Sequence, residues 1–239
     1  MYYEFYGKCP ICESEVNFSS KDHDFRSNLV CQNCVNNSIP RERALALVLK
    51  ELSPDWRKMR IHESSPVGRG ISYQLKQECK RYISTQFFPG EPTGAMIHGY
   101  RNENLECQTF PDGSFDIVVS LDVLEHVNEP SKAMKEIART LVKGGYSIFT
   151  APTYPGKTKT EHRARINTDG TEEILLNPPE YHGNPVNTKG SLVTFHYGYD
   201  FPELIFQWSG MSVEVNRFYD PFHGIIGQMT EVYVCRKLT

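Results

Sequence analysis

The chain has 239 residues, 39% of them hydrophobic and 23% charged, which is the balance of an ordinary globular protein. No run of about 18 apolar residues occurs, so no transmembrane helix is predicted, and the formal net charge of −3 argues against a protein that wraps long nucleic acids. The opening MYYEFYGKCPIC lacks a basic and then apolar leader, which predicts a cytoplasmic location.

Four cysteines near the start form two CxxC pairs, Cys9 with Cys12 (CPIC) and Cys31 with Cys34 (CQNC). Each pair can turn two thiolates toward one point, and two pairs make the tetrahedral four-sulfur shell that Zn²⁺ prefers in closed, structural sites. Four unrelated cysteines are one alternative. A redox motif is another, although it is typical of a single pair that opens a helix. We therefore predict a small zinc-binding module over residues 1–38, which packs against the remaining chain or shapes a substrate lip.

A helix is predicted after this module. Ser38 is a suitable N-cap residue, Pro40 fits the first turn, and apolar residues recur at helical spacing as far as about Leu52. The first turn also carries Arg41, Glu42 and Arg43, which we interpret as solvated charges. The segment Arg60 to Ser64 then predicts the first strand of a larger sheet.

The middle of the chain predicts a strand, a helix and a second strand. Phe115 to Leu121 is a nearly unbroken apolar run rich in β-branched residues, typical of a strand buried on both faces of a parallel sheet. Pro130 opens the helix, Gly144-Gly145 is predicted to cap it, and Tyr146 to Ala151 reads as the next strand. Such a unit crosses over right-handedly, so the sheet should be parallel and doubly wound.

The stretch FPDGSFDIVVSLDVLEHV, followed by EIARTLVKGGYSIFTAP, resembles the middle of class I S-adenosylmethionine-dependent methyltransferases of the type 11-like group. The resemblance covers roughly residues 59–151. It implies an α/β, doubly wound, Rossmann-like fold over residues 39–239, with a seven-stranded and mostly parallel sheet. The remaining elements predicted on this basis are strands at Arg81 to Gln86, Ala95 to Tyr100, Ser212 to Tyr219 and Met229 to Arg236, and a helix at Asp200 to Trp208.

The resemblance also implies S-adenosylmethionine as cofactor. The family's motif is an acidic residue followed by Gly-x-Gly-x-Gly, whereas Glu63 is followed here by SSPVGRG, with Ser65-Pro66 where the first glycine would be. At the end of the second strand Gln86 replaces the family's carboxylate, and its neutral amide is a weaker partner for the ribose hydroxyls. The implied cofactor-binding residues are Glu63, Ser65, Gly68, Gly70, Gln86, Asn104, Leu105, Leu121 and Asp122.

The acceptor side is predicted to involve the segment 152–199, which is longer than a plain connection and rich in aromatic and polar residues. Our catalytic candidates are His126, His182 and Tyr181, because a histidine that titrates near neutral pH can take a proton from an acceptor hydroxyl. A histidine packed beneath the cofactor, or a surface flap held by aromatic rings, would explain the same residues without catalysis.

The sequence thus predicts an S-adenosylmethionine-dependent methyltransferase that acts on a small polar acceptor such as a sugar or glycan precursor, and that contacts no membrane. A non-catalytic binding module with a methyltransferase fold is one alternative, motivated by Gln86 and the SSPVGRG loop. A zinc-ribbon ribosomal-RNA methyltransferase is another, and the acidic balance weighs against RNA without excluding it. The sequence does not determine the oligomeric state.

Overall fold

The computed structural model describes residues 2–167, 169–184 and 187–238, leaving aside the side chain of Asn187. Five α-helices lie in these ranges: α1 Phe25–Asn28, α2 Pro40–Leu52, α3 Gly70–Glu78, α4 Pro130–Thr140 and α5 Phe201–Ser209. None of the described helices combines the length and the apolar character needed to cross a membrane.

An eight-stranded central sheet forms the body of the fold, in the order β15-β16-β8-β7-β3-β4-β6-β5. Its strands are β3 Arg60–Ser64, β4 Arg81–Gln86, β5 Met96–Ile97, β6 Tyr100–Asn102, β7 Phe115–Leu121, β8 Leu141–Thr150, β15 Ser212–Asn216 and β16 Val232–Arg236. Strands β6, β4, β3, β7 and β8 are mutually parallel. At one edge β16 is antiparallel to β8 and β15 is antiparallel to β16, so β15 runs in the direction of β8; at the other edge β5 is antiparallel to β6. The predicted α/β doubly wound sheet is confirmed, with one strand more than expected.

The other strands form four two-stranded sheets. One is the N-terminal hairpin, and three belong to the segment 152–199, which is therefore folded over most of its length. These strands are β1 Tyr3–Lys8, β2 Glu15–Ser20, β9 Glu161–His162, β10 Ala164–Ile166, β11 Glu172–Ile174, β12 Tyr181–Asn184, β13 Asn187–Leu192 and β14 Phe195–His196.

The predicted cap at Gly144-Gly145 is wrong. Helix α4 already ends at Thr140, and both glycines lie inside β8. They are needed there because β8 passes close to β7: a Cβ on Gly145 would stand 2.9 Å from the carbonyl oxygen of Asp116, and Gly144 has φ +80°. The β7–β8 register shifts at this point, between Phe115 and Ile117.

Several further boundaries differ from expectation. β8 begins at Leu141 and not at Tyr146, β15 ends at Asn216 and not at Tyr219, and β16 begins at Val232 and not at Met229. The predicted strand Ala95 to Tyr100 is instead a short antiparallel pair, β5 and β6, and only β6 is parallel to β4. Ser38 is not the N-cap of α2, because the helix begins at Pro40 with Ile39 in the cap position. The cap function passes to Glu42, whose carboxylate accepts a hydrogen bond from the Ile39 backbone N–H at 3.1 Å.

The charges in the first turn of α2 are not solvated, contrary to expectation. Glu42 is 1% exposed, and Arg43 is fully buried. The Arg43 guanidinium donates hydrogen bonds to the carbonyl oxygens of Ser38 at 2.5 Å, Leu29 at 2.8 Å and Gly224 at 2.6 Å. Burial lowers the pKa of Arg43 to about 10. Arg43 thus joins the N-terminal module to a loop near the C-terminus.

The N-terminal module also shares a hydrophobic core with the sheet. Phe18 and Leu29 of the module belong to the same buried cluster as Leu45 of α2, Ile61 of β3 and Val232 of β16. A second cluster lies around α4 and α5, on the helices that cover β7 and β8. Because the module packs into the first core, it has fixed contacts with the end of the sheet where the candidate site lies.

Candidate functional site

A cleft of about 980 Å³ opens beside the carboxyl ends of β3, β4 and β7, which is where open α/β sheets bind their ligands. Its walls come from three parts of the chain: the N-terminal module with α2, the loops after the sheet strands, and the segment 152–199. The lining residues are Arg26, Ser27, Asn36, Arg41, Ser65, Val67, Gly68, Arg69, Gln86, Leu121, Asp122, Val123, His126, Tyr181, His182, Gly183, Asn184 and Ser191.

The loop after β3 has the geometry of a ligand cradle despite its few glycines. Ser65 takes φ +53°, the left-handed conformation that glycine usually occupies, at the place where the first glycine of the motif would stand. A Cβ on Gly68 would meet nothing within 4 Å, so Gly68 leaves open space in the cleft. Gly70 serves the fold instead, because a Cβ there would lie 2.3 Å from a carboxylate oxygen of Glu42.

The N-terminal module contributes directly to the cleft. Arg26 donates to the carboxylate of Asp122 at 2.6 Å, and Arg41 of α2 pairs with the same carboxylate at 3.0 Å. Burial opposes ionisation of Asp122, but the two guanidinium groups and a hydrogen bond from Thr150 outweigh it and lower the pKa of Asp122. The Asn36 amide donates to the Gly68 carbonyl at 2.8 Å, which holds the cradle loop against the module.

Glu63 is the penultimate residue of β3 and is fully buried. Its carboxylate accepts hydrogen bonds from the hydroxyls of Ser72 and Tyr82, at 2.5 and 2.7 Å. Burial raises the pKa of Glu63 to about 7, against the lowering effect of these two bonds. Glu63 therefore lies within the fold under the loop, in contact with α3 and β4.

On the opposite wall, the short 3₁₀ turn Leu124–His126 after β7 is fixed by backbone contacts from the segment 152–199. Thr194 donates through its N–H and its hydroxyl to the Glu125 carbonyl, each at 2.8 Å, and the buried Tyr197 hydroxyl donates to the Leu124 carbonyl at 2.7 Å. His126 Nδ1 lies 2.8 Å from the carbonyl oxygen of Leu192. Because a carbonyl can only accept, Nδ1 carries the proton and Nε2 of the neutral ring is left with its lone pair.

His182 reaches the same place from β12. Its Nε2 lies 2.9 Å from Glu180, a carboxylate that also accepts from His196 at 2.7 Å and from the Tyr154 hydroxyl at 3.0 Å. In the neutral ring Nε2 donates to Glu180, so Nδ1 presents a lone pair toward Glu125 at 3.8 Å. Glu125 and Glu180 raise the pKa of His182, although its burial acts in the opposite direction.

The four N-terminal cysteine thiols converge on one point. Their sulfur atoms all lie within 4.8 Å of one another, with Cys9 and Cys34 3.6 Å apart and Cys12 and Cys31 3.8 Å apart. These distances are too long for disulfides, whose sulfurs are about 2.05 Å apart. They fit a tetrahedral ion with bonds of about 2.3 Å, which places its ligand sulfurs roughly 3.8 Å apart.

Comparison with known proteins relates part of the chain to methyltransferases. Residues 71–149 match the family model described as a methyltransferase domain. An uncharacterized methyltransferase of Schizosaccharomyces pombe, C1B3.06c, is 36% identical over 72 aligned positions, which cover 26% of this chain and 26% of that protein. The chain thus matches about a quarter of the length of this curated relative.

Two solved structures are similar over most of the chain. SAM-bound CalS10, an amino pentose methyltransferase from Micromonospora echinaspora, is 11% identical with a TM-score of 0.52, over 82% of this chain and 91% of CalS10. A chain of the Haloferax volcanii complex that contains the Trm112 methyltransferase activator is 12% identical with a TM-score of 0.51, over 83% and 90%. The fold is that of the S-adenosylmethionine-dependent methyltransferases.

Most of the predicted site residues meet in one cleft of this methyltransferase fold. Ser65, Gly68 and Gln86 line it, together with Leu121 and Asp122. The three acceptor-side candidates His126, Tyr181 and His182 also line it. Glu63, Gly70, Asn104 and Leu105 are not lining residues, and their roles toward the cofactor stay predictions. Tyr181 is half-exposed and donates its hydroxyl to Glu172 at 2.6 Å.

The lining residues that were not among the sequence-based candidates include Arg26, Asn36 and Arg41, from the N-terminal module and α2. Their positions depend on how the N-terminal module docks, and no local pattern specifies that docking. Glu180 was also missed as the partner of two histidines. In the sequence PPEYHGNP, Glu180 stands close to His182. Its other partner, His196, is sixteen residues further along the chain, so the sequence did not reveal that contact.

Proposed function

We propose that this protein transfers a methyl group from S-adenosylmethionine to a small polar acceptor, in the cleft between the cradle loop and the segment 152–199. The observation that carries the proposal is the cradle after β3, where Ser65 adopts the left-handed turn and Gly68 leaves room for a ligand. A cleft of about 980 Å³ is also large enough for a cofactor with a small acceptor, because ligand pockets commonly measure about 300–1,000 Å³.

The cofactor would lie against Ser65, Gly68 and Gln86. The two guanidinium groups of Arg26 and Arg41 share one counter-charge, Asp122, so this wall of the cleft keeps an excess positive charge. That charge favours the carboxylate of the cofactor's methionine group. When bound, S-adenosylmethionine supplies an electrophilic methyl group: the acceptor atom forms the new bond to carbon, and the carbon–sulfur electron pair stays on sulfur. His126 Nε2 or His182 Nδ1 would take the proton that the acceptor loses.

We propose Zn²⁺ for the four-cysteine cluster, with a structural role. Cys9, Cys12, Cys31 and Cys34 supply all four ligands, so no position remains open for a substrate. The boundary between this module at 1–38 and the methyltransferase domain at 39–239 remains part of the proposal.

Gly68→Val is expected to weaken S-adenosylhomocysteine binding at least tenfold, about 1.4 kcal/mol, without changing the fold. The added side chain meets no protein atom near its Cβ and would occupy cleft space. Isothermal titration calorimetry measures the affinity, and circular dichroism checks the fold. Gly183→Val is the matched control, because its Cβ also meets nothing within 4 Å but lies on the opposite wall.

The same calorimetry also tests the alternative of a non-catalytic binding module. If the wild-type protein binds no S-adenosylhomocysteine at millimolar concentration, a methyltransferase fold without cofactor function is the better description. If Gly68→Val binds as tightly as the wild type, the cofactor does not lie in the cradle.

The acceptor is proposed to be a neutral, hydroxylated small molecule such as a sugar. The segment 152–199 lines the acceptor side of the cleft with the hydrogen-bonding residues Tyr181, His182, Asn184 and Ser191. No lysine or arginine is among the described lining residues of this segment. A phosphate backbone would favour Arg and Lys there. An RNA acceptor, which the sequence left open, has less support from this lining.

His182→Ala is expected to reduce kcat by about 10²–10⁴, the usual contribution of a general base, while the affinity for S-adenosylhomocysteine stays the same. Transfer of labelled methyl groups to panels of sugars, nucleotides and RNA identifies the acceptor and then measures this effect. Incorporation into RNA alone would contradict the proposed acceptor class, and full activity of the variant would remove His182 from the reaction.

A further inference from the structure

Glu125 is an unusual group for the position it occupies. It is 1% exposed, and neither of its carboxylate oxygens has a hydrogen-bond partner among the residues that the structure describes. A buried carboxylate without hydrogen-bond partners is unfavourable unless positive charge lies near it, and the guanidinium of Arg26 acts on Glu125 only electrostatically. The neighbouring groups that face it are the imidazole rings of His126 and His182, each with a nitrogen 3.8 Å from Glu125 Oε1.

We infer that Glu125, His126 and His182 form a binding site for a divalent transition-metal ion, separate from the four-cysteine cluster. One ligand atom from each residue lies within 4.8 Å of the other two. A distance of 3.8 Å is too long for a hydrogen bond but leaves space for an ion between the groups. Ligand bonds of about 2.1 Å in tetrahedral geometry place ligand atoms roughly 3.4 Å apart, so a movement of a few tenths of an ångström closes the site.

The surroundings of the two histidines match those of metal ligands. Metal-bound histidines usually donate their second ring N–H to a carboxylate or a backbone carbonyl, which fixes the tautomer and directs the other nitrogen at the ion. His126 Nδ1 donates to the Leu192 carbonyl at 2.8 Å, and His182 Nε2 donates to Glu180 at 2.9 Å. The rings stand almost perpendicular, at 89°, with centroids 5.2 Å apart. The free lone pairs are thus oriented by the fold before any ion binds.

Three protein ligands leave at least one coordination position open, which distinguishes this site from the closed four-cysteine cluster. His126 and His182 line the cleft, so the open position faces the space assigned to the acceptor. Two imidazoles and a carboxylate suit Zn²⁺, Mn²⁺ or Fe²⁺ better than Ca²⁺ or Mg²⁺, which prefer oxygen ligands. With the ion bound, both histidine lone pairs would be ligands and neither would act as the base. A hydroxyl of the acceptor would then complete the coordination shell, where the ion would lower its pKa and its proton would pass to solvent.

This inference deepens the proposed function and rests on it for the acceptor, but metal binding can be measured without either substrate. The full-length protein, with its cysteine cluster loaded, is dialysed to equilibrium against micromolar Zn²⁺ or Mn²⁺, and bound metal is counted per chain. We expect one ion more than the cysteine cluster holds. Glu125→Gln, which keeps the shape but removes the charge, and His182→Ala should each weaken this second ion at least tenfold.

His162→Gln is the matched control, since His162 is also half-buried but lies outside the cluster and stacks on Phe195. It should retain the second ion. Calorimetry with S-adenosylhomocysteine on the same samples checks the fold of each variant. The inference is overturned if the wild type binds neither ion at this site, or if the variants bind it unchanged. Cofactor binding without a second ion would leave the proposed function standing, and a second ion without cofactor binding would support the metal site alone.

Discussion

Cys31→Ser is expected to abolish binding of the proposed zinc ion and to weaken S-adenosylhomocysteine binding by about tenfold to a hundredfold. The N-terminal module places Arg26 2.6 Å from Asp122 in the cleft, and its Asn36 holds the Gly68 carbonyl at 2.8 Å. Hydrogen bonds that involve a charged group contribute about 1.5–3 kcal/mol, which is the origin of the expected range. Because a module of this size has little core of its own, loss of the metal should release both contacts.

Metal analysis and calorimetry measure the two effects on one sample. Cys107→Ser is the control for a cysteine substitution, because Cys107 is exposed and outside the cluster. Arg26→Met with all four cysteines intact separates the charge of Arg26 from the folding of the module, and should reproduce part of the loss. Zinc removal that leaves cofactor affinity unchanged would show that the module does not support the cleft.

Asp122→Asn should destabilise the protein by about 3 kcal/mol, because it leaves the guanidinium groups of Arg26 and Arg41 close together without their shared counter-charge. The three side chains are only 13–19% exposed, so solvent compensates little. Removing one partner of a buried ion pair typically costs about 3–5 kcal/mol, and the partial exposure places this case at the lower end. Urea unfolding at pH 7 measures the difference in the free energy of unfolding.

The pH dependence of this difference follows from the lowered pKa of Asp122. Its ordinary value is 3.8, so the stabilising contribution is present above that pH and is lost as the pH falls through the lower value of the folded state. Wild type and Asp122→Asn should therefore converge in acid. Asp112→Asn is the control: Asp112 also pairs with an arginine, Arg139, but is 82% exposed, and its loss should cost less than about 1 kcal/mol at any pH. A gap that does not narrow as the pH falls below 3.8 would exclude the ion pair as its cause.

The strands that carry the site could be predicted from the sequence. Arg60–Ser64, Arg81–Gln86 and Phe115–Leu121 begin and end where expected. For Phe115–Leu121 the reason is local, because an apolar run rich in β-branched residues specifies a buried strand. Arg81–Gln86 is mostly polar and was placed from the family resemblance. Since the carboxyl ends of parallel strands meet at one edge, Gln86, Leu121 and Asp122 could also be placed in one cleft.

Other features depend on contacts that no local pattern reveals. The pair Gly144-Gly145 resembles a helix cap in sequence, but its actual reason is the close passage of β8 along β7. The charges of Arg41 and Arg43 look solvated in the first turn of a helix, yet both are covered once the module docks. The loop after β3 has Ser65 where the family motif has its first glycine, which suggested a loop less suited to the cofactor. Ser65 nevertheless adopts the positive φ that this position requires.

The contacts of Arg43 have a consequence for the order in which the chain folds during synthesis. Its carbonyl partner Leu29 is 14 residues away, but Gly224 is 181 residues away, near the end of the chain. The N-terminal module leaves the ribosome first, yet this buried cation gains its full set of acceptors only when almost the whole chain has emerged. β16, which lies between β8 and β15 in the sheet, follows both of them in the chain. Such long-range closure slows folding, so the final packing of Arg43 must wait until the segment that carries Gly224 has been synthesised.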